Sequence, residues 1–187
     1  PVLQALGDTV LPCCDQVMNG MKHGGNVFPS RLPEHVQDRC RASFQKLQAV
    51  LSNQRGFYGV DFVIEEGTLE PVLVDLNMAR PNGNHYFQLF RDSLPVRPPV
   101  WSGRRANFQR AVEQGIDYSV IMRMLREAGI ALDFATGVGV AMIQVSLNVS
   151  SSIYTTKVFV GARTAEEFET LNAAVDTLIR QSDSAGV

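Results

Sequence analysis

The chain has 187 residues, 45% of them apolar and 19% charged, and a formal net charge of −2. That length buries a real core in one large domain or two small ones, and the composition is ordinary for a globular protein. Its short basic clusters leave no electrostatic footprint for nucleic acid, and no apolar run reaches the roughly 20 residues of a membrane span.

The three cysteines give neither a disulfide framework nor a CxxC metal spacing. Cys13, Cys14 and Cys40 are expected to be buried reduced thiols, and the protein cytoplasmic with no signal peptide. The chain opens on Pro1, and "VLQALGDTVLP" reads like the middle of a fold, so a preceding segment is expected.

In chain order, "TVLPCCDQVMN" predicts a strand, and "GMKHGGNVFP" a glycine-rich turn. From Pro33 to Asn53, Val36, Cys40, Phe44, Leu47 and Val50 or Leu51 recur every three to four residues and predict an amphipathic helix. "FYGVDFVIEE" and "EPVLVDLN" predict two strands joined through a turn at Gly67. "ARPNGNHY" is polar and irregular, and "FQLF" begins a helix. Residues 94–107 carry Pro95, Pro98 and Pro99 together with Arg97, Arg104 and Arg105 around Trp101, and predict a loop and boundary. Beyond it "YSVIMRMLREAGI" predicts a helix, while "GVGVAMIQVSLNV" and "SIYTTKVFVGA" predict strands. "TAEEFETLNAAVDTLIRQ" predicts a helix opened by a capping box of Thr164 and Glu167. There are no internal repeats. The expected class is α+β with a mainly antiparallel sheet, divided as residues 1–93, a Pro/Arg-rich loop 94–107, and an appended segment 108–187.

The chemistry concentrates in the central hairpin. Side chains alternate between faces along a strand, so Asp61 shares a face with Gly59 and Val63, and Asp75 shares one with Leu73 and Asn77. A hairpin closed symmetrically near Thr68 pairs Glu65 with Pro71 and Asp61 with Asp75. Two carboxylates directly opposite repel, which calls for a cation between them. Oxygen ligands of this kind suit Mg²⁺, which takes one or two protein carboxylates and completes its shell with phosphate and water. Arg80 then lies in reach of those phosphates. The competing reading is a solvated sheet face that shares no ion.

The run "GFYGVDFVIEEGTLEPVLVDLNMARPNG" resembles the end of the ATP-grasp fold. There a G-x-D-F strand is followed by a strand ending in an acidic residue, x-Asn and a nearby Arg. The resemblance implies that Asp61, Asp75 and Asn77 hold Mg²⁺ (or Mn²⁺) on the phosphates of ATP, with Arg80 on the phosphates. It implies activation of a carboxylate as an acyl phosphate and attack by an amine. Asp75 stands where Glu is usual in that fold, and Arg80 comes three residues after the Asn rather than two. "KHGGNVFPSRLPEHVQDRCRASFQKLQ" followed by the hairpin is similar to the substrate-facing turn and helix of many ATP-grasp ligases, and the loop "NGNH" and the segment "TGVGVAMIQVSLNVSSSIYTTKVFVGARTAEEFETL" are more narrowly similar to pheganomycin-type peptide ligases. The lysine strand and adenine hinge of the fold find no counterpart before "VLQALGDTVLP". The resemblance thus implies a C-terminal ATP-grasp half whose partners are small carboxylate and amine substrates and an N-terminal half on the same or a separate chain. Neither nucleic acid nor membrane is an expected partner, and a homo-oligomer is compatible with the sequence.

Several side chains keep two readings. Lys22 and His23 sit in a glycine-rich stretch that either touches phosphate or acceptor substrate or is a solvated turn. His85 either lies near the acyl phosphate and handles a proton or is a surface-loop residue. Arg97, Arg104 and Arg105 form either a lid or a basic surface loop. No P-loop or GxSxG elbow is present. The leading expectation is an ATP-dependent carboxylate–amine ligase half; the alternative is a non-catalytic binding or assembly module on the same scaffold.

Overall fold

The computed structural model describes residues 1–20, 22–51, 56–78, 84–106, 108, 118–148 and 153–184. Its elements run β1 (Val2–Leu6), β2 (Thr9–Val10), β3 (Asp15–Asn19), β4 (Lys22–Phe28), α1 (Glu34–Val50), β5 (Phe57–Ile64), β6 (Pro71–Asn77), α2 (Asn84–Ser93), β7 (Val100–Arg105), α3 (Tyr118–Glu127), β8 (Gly139–Asn148), β9 (Ile153–Ala162) and α4 (Ala165–Ser184). The architecture is α+β, and every strand pairing given below is antiparallel. Two compact units divide the chain, Pro1–Tyr86 and Phe87–Val187.

In the first unit a four-stranded sheet runs β2-β1-β5-β6. One face is apolar: Leu3 and Ala5 from β1 and Tyr58, Val60 and Phe62 from β5 form a buried cluster with Cys13, Cys40 and Phe44. Burying such side chains stabilises by roughly 2 kcal/mol each. The α1 stripe explains how the helix docks there, because Val36, Cys40 and Phe44 are fully buried and fall on one helical face. The ambiguity at its end is resolved in favour of Leu51, which packs on the cluster, while Val50 is 80% exposed. Phe44 meets Tyr58 with ring centroids 5.6 Å apart, and the Tyr58 hydroxyl donates to the Gly7 carbonyl at 3.1 Å.

The start of this unit differs from expectation in two respects. The stretch 9–19 is not one strand: Thr9–Val10 is β2, paired with β1, and β3 begins only at Asp15. The glycine-rich stretch is not a turn either: Lys22–Phe28 is β4, paired with β3 from Asp15↔Val27 to Asn19↔Lys22. Gly20, directly after the Asn19↔Lys22 pair, opens the turn at φ +59°, a left-handed conformation that favours glycine. The hairpin base is tied down by Asp15, whose carboxylate accepts from the Ser30 hydroxyl at 2.6 Å and from the Arg31 backbone N–H at 2.7 Å.

In the second unit β7 pairs with β9 and β9 with β8. The expected loop 94–107 therefore contains a strand, with Trp101 3% exposed and stacked on Phe159 at 6.1 Å. Arg104 forms no lid: its guanidinium donates to Asn172 at 3.0 Å and to Asp176, both on α4. Arg97 donates to the Asp92 carbonyl at 3.4 Å. Arg105 lies opposite Lys157, and burial and then Arg105 lower the Lys157 pKa. The capping box at α4 forms in part. The Glu167 N–H donates to Thr164 Oγ1 at 3.1 Å, but the Glu167 carboxylate takes the backbone N–H and guanidinium of Arg163. Among the described residues no helix is long and apolar enough to cross a membrane.

Candidate metal and phosphate site

The second face of the first sheet carries the polar side chains. Val2 lies opposite Asp61 and Gln4 opposite Gly59; Asp61 lies opposite Asp75 and Gly59 opposite Asn77. Residues two apart on a strand share a face, so Gln4, Asp61, Asp75 and Asn77 all belong to the face turned away from the apolar cluster. The expected Asp61–Asp75 pairing is present. The expected pairing of Glu65 with Pro71 is not: a bulge follows Asp61, Phe62 pairs with Leu73, and Pro71 meets Ile64. Val74 is the extra residue that the bulge absorbs. The Glu65 N–H reaches the Glu70 carbonyl at 3.0 Å, closing a turn in which Gly67 has φ +97° and Leu69 φ +57°.

Each carboxylate has one oxygen engaged. Asp61 Oδ2 accepts from Gln16 Nε2 at 3.0 Å, and Asp75 Oδ2 accepts from Asn77 Nδ2 at 3.2 Å. The second bond leaves Asn77 Oδ1 as a further acceptor beside the pair. Burial pushes the pKa of Asp61 up, with repulsion from Asp75 adding to it; the Gln16 hydrogen bond and the charge of His23 pull it down. Two carboxylates and an amide oxygen form an all-oxygen donor set, the type that fits Mg²⁺ or Mn²⁺ with water and phosphate completing the shell. Among the described residues no three His, Cys, Asp or Glu side chains gather into a group that could hold a metal ion.

The β3–β4 hairpin contributes to the same cluster. Gln16 lies opposite Asn26; Asn26 is 1% exposed, and its Nδ2 donates to Cys14 Sγ at 3.4 Å. His23 Nε2 is 2.7 Å from Asn26 Oδ1. Nothing in the sequence singles out Gln16 and Asn26, because a strand followed by a glycine-rich turn has no cross-strand partners. Gly20, at the first turn position, is the residue that marks the hairpin. Of the other expected site residues, Lys22 lies in β4 and His85 in α2, with side chains outside the described residues; Arg80 lies outside them altogether.

The cysteines match the expectation of buried thiols. Burial, then the neighbouring Cys40, pushes Cys13 up to about 11. Burial also raises Cys14 and Cys40, so none is poised as a thiolate nucleophile.

No protein-family model matches the sequence, and no curated protein sequence matches it. Solved structures do. N5-carboxyaminoimidazole synthase from Aspergillus clavatus, in complex with ADP and 5-aminoimidazole ribonucleotide, is similar at 14% identity and TM-score 0.62, over 96% of this chain and 50% of that one. N5-carboxyaminoimidazole ribonucleotide synthetase from Thermus thermophilus is similar at 12% identity and TM-score 0.63, over 95% and 49%. L-amino acid ligase from Bacillus licheniformis is similar at 11% identity and TM-score 0.59, over 94% and 52%. The chain thus spans about half the length of each. At these identities the likeness is one of fold, and the fold is that of the ATP-grasp proteins.

Proposed function

We propose that this chain is the metal- and phosphate-binding half of an ATP-dependent ligase that joins a carboxylate to an amine through an acyl phosphate. The observation that carries the reading is Asp61 directly opposite Asp75, with Asn77 hydrogen-bonded to Asp75 on the same sheet face, within an ATP-grasp fold. The similar structures include an L-amino acid ligase and synthetases solved with ADP or ATP, which supports nucleotide use. Similarity of the sequence to pheganomycin-type peptide ligases makes an amino acid or peptide the favoured substrate class.

In this reading Asp61, Asp75 and Asn77 would hold Mg²⁺ or Mn²⁺, which would supply neutralisation of charge on the transferred phosphoryl group. Gln16 fixes Asp61 by occupying one oxygen, and Asn77 does the same for Asp75, so each carboxylate presents its other oxygen without a rotamer search. Arg80 and Lys22 contact phosphate, His23 faces the acceptor side, and His85 handles a proton near the activated carboxyl. The sheet face positions and screens charge, and the chemistry is mainly alignment. A partner half, within the same polypeptide or separate, completes the nucleotide cleft.

Asp75→Asn in the complete enzyme tests this. The carboxamide keeps size and shape but removes one of two charges, and Mg²⁺-dependent ADP formation is expected to fall by a factor of about 100 or more, in line with the loss of an electrostatic contact in phosphoryl transfer. The circular dichroism spectrum should not change. Undiminished turnover would falsify the site assignment and favour a non-catalytic binding or assembly module.

A further inference from the structure

We infer that Asn26 and Cys14 act as positioning residues that hold His23 as its Nε2–H tautomer, so that Nδ1 accepts a hydrogen bond from the N–H of the amine substrate. The second half of this inference rests on the ligase reading; the first does not. A chain of hydrogen bonds carries it. It starts at the Val2 carbonyl oxygen, which has no proton to give and to which Cys14 Sγ donates at 3.7 Å. The buried thiol keeps its proton for that bond, since burial raises its pKa well above the usual range. The sulfur then accepts from Asn26 Nδ2 at 3.4 Å. An amide whose nitrogen points to the sulfur presents its oxygen on the other side, and that oxygen lies 2.7 Å from His23 Nε2. Only a protonated Nε2 completes such a pair, and a neutral imidazole with Nε2–H carries its lone pair on Nδ1. Among the described residues Nδ1 has no hydrogen-bond partner.

The backbone explains how His23 meets Asn26 at all. Residues three apart on a regular strand point to opposite faces. Here Val17 pairs with Gly25 and Met18 with His23, so Gly24 is an extra residue in a bulge, which returns His23 to the side of Asn26. Glycine suits that position, because a β-carbon there would sit 3.2 Å from the Val17 carbonyl oxygen. The opposite member of the Asn26 pair, Gln16, is bonded to Asp61, so the imidazole belongs to the carboxylate cluster. An amine brought to an activated carboxyl group there needs an acceptor for its N–H, and a ring nitrogen that can only accept fixes the direction of that bond.

Long-range proton–nitrogen spectra of the histidine rings at about pH 8.5, above the ordinary imidazole pKa, test the first half on the chain itself. His35→Gln and His85→Gln assign the signals. The Nε2–H signature is expected for His23 in the wild type and in Asn26→Asp, which keeps the acceptor, and a mixture of tautomers in Asn26→Leu. An Nδ1–H signature in the wild type overturns the inference and needs no variant to be folded. In the complete enzyme, Asn26→Leu is expected to raise the amine KM by about tenfold, the value of one hydrogen bond lost in a site, while carboxylate-dependent ADP release without amine stays unchanged and Asn26→Asp restores the KM. Normal turnover with an unchanged amine KM overturns the amine contact alone. Absence of any ATP turnover in the wild type brings down the ligase reading, and the amine contact with it, while the tautomer stands or falls on the spectrum.

Discussion

Burial and Asp75 both raise the pKa of Asp61 above its ordinary value of 3.8, so the folded chain holds a proton there that the unfolded chain has already released. Below the ordinary value both states are protonated and Asp61 costs nothing. As pH rises through the raised folded pKa, stability is lost, and at neutral pH the ionised carboxylate carries a penalty. Asp61→Asn should therefore raise the melting temperature at pH 7 in metal-free buffer, with the gain vanishing below about pH 4. A divalent cation reverses the sign. Mg²⁺ at a hundredfold excess over its Kd is expected to stabilise the wild type by about 2.7 kcal/mol and to leave Asp61→Asn where it was. Scanning calorimetry across pH, with and without Mg²⁺, checks both; an asparagine variant less stable than wild type in metal-free buffer at pH 7 contradicts the account.

At the scale of elements, β7 and α2 meet through one residue without a side chain. A β-carbon on Gly103 would collide with the ring of Phe87, and the neighbouring Phe90 packs edge-on against Phe159 at 5.1 Å. Gly103→Ala is expected to cost roughly 1–3 kcal/mol, the usual range for overpacking, read as a lower urea midpoint at unchanged slope; an unchanged midpoint would mean that Phe87 turns aside freely. The same contact shows why β7 reads as a loop in the sequence. "VWSGRR" has no alternation, since Gly103 makes room for a helix and Arg104 is satisfied by α4, both facts of tertiary context. β4 is illegible for a related reason: "KHGGNVF" forms a strand through pairing and a bulge, not propensity. In α1 burial follows the helical period, with Val36, Cys40 and Phe44 on one face, and β5, β6, β8 and β9 are readable from their runs of apolar and β-branched residues. The Asp61–Asp75 register is readable because alternation and an approximately central turn suffice to predict it. The bulge after Asp61 is not, since nothing in "EPVLVDLN" marks Val74 as the surplus residue.

At the scale of the molecule, the edge of the first sheet exposes a run of apolar side chains among the described residues. β6 ends the order β2-β1-β5-β6, and Val72, Leu73, Val74 and Leu76 on it are 52%, 40%, 56% and 36% exposed, with Val63 beside them at 55%. An exposed, apolar edge strand offers unpaired backbone groups to other chains. This chain, by itself at tens of micromolar, is expected to sediment with a concentration-dependent increase in mass. Val72→Lys with Val74→Lys should lower that increase by placing charge on the edge; equal sedimentation of both proteins would show that the edge is not adhesive.

Between that edge and the turn lies the bulge that holds Val74 out of register. It acts as a slip joint. Asp61 and Asp75 are registered from the Gly59↔Asn77 end of the ladder, and the turn is registered separately, from Ile64↔Pro71. Changes in turn length are thus taken up before they reach the carboxylates. A two-residue insertion after Gly67 should leave the Mg²⁺-induced thermal shift intact; loss of the shift on that insertion would show that turn length does reach the carboxylates. The hairpin tip is accordingly a place where a fluorophore or an affinity handle can be attached without retuning the chemistry at its base, and where variation in length between related chains carries no information about what the site binds.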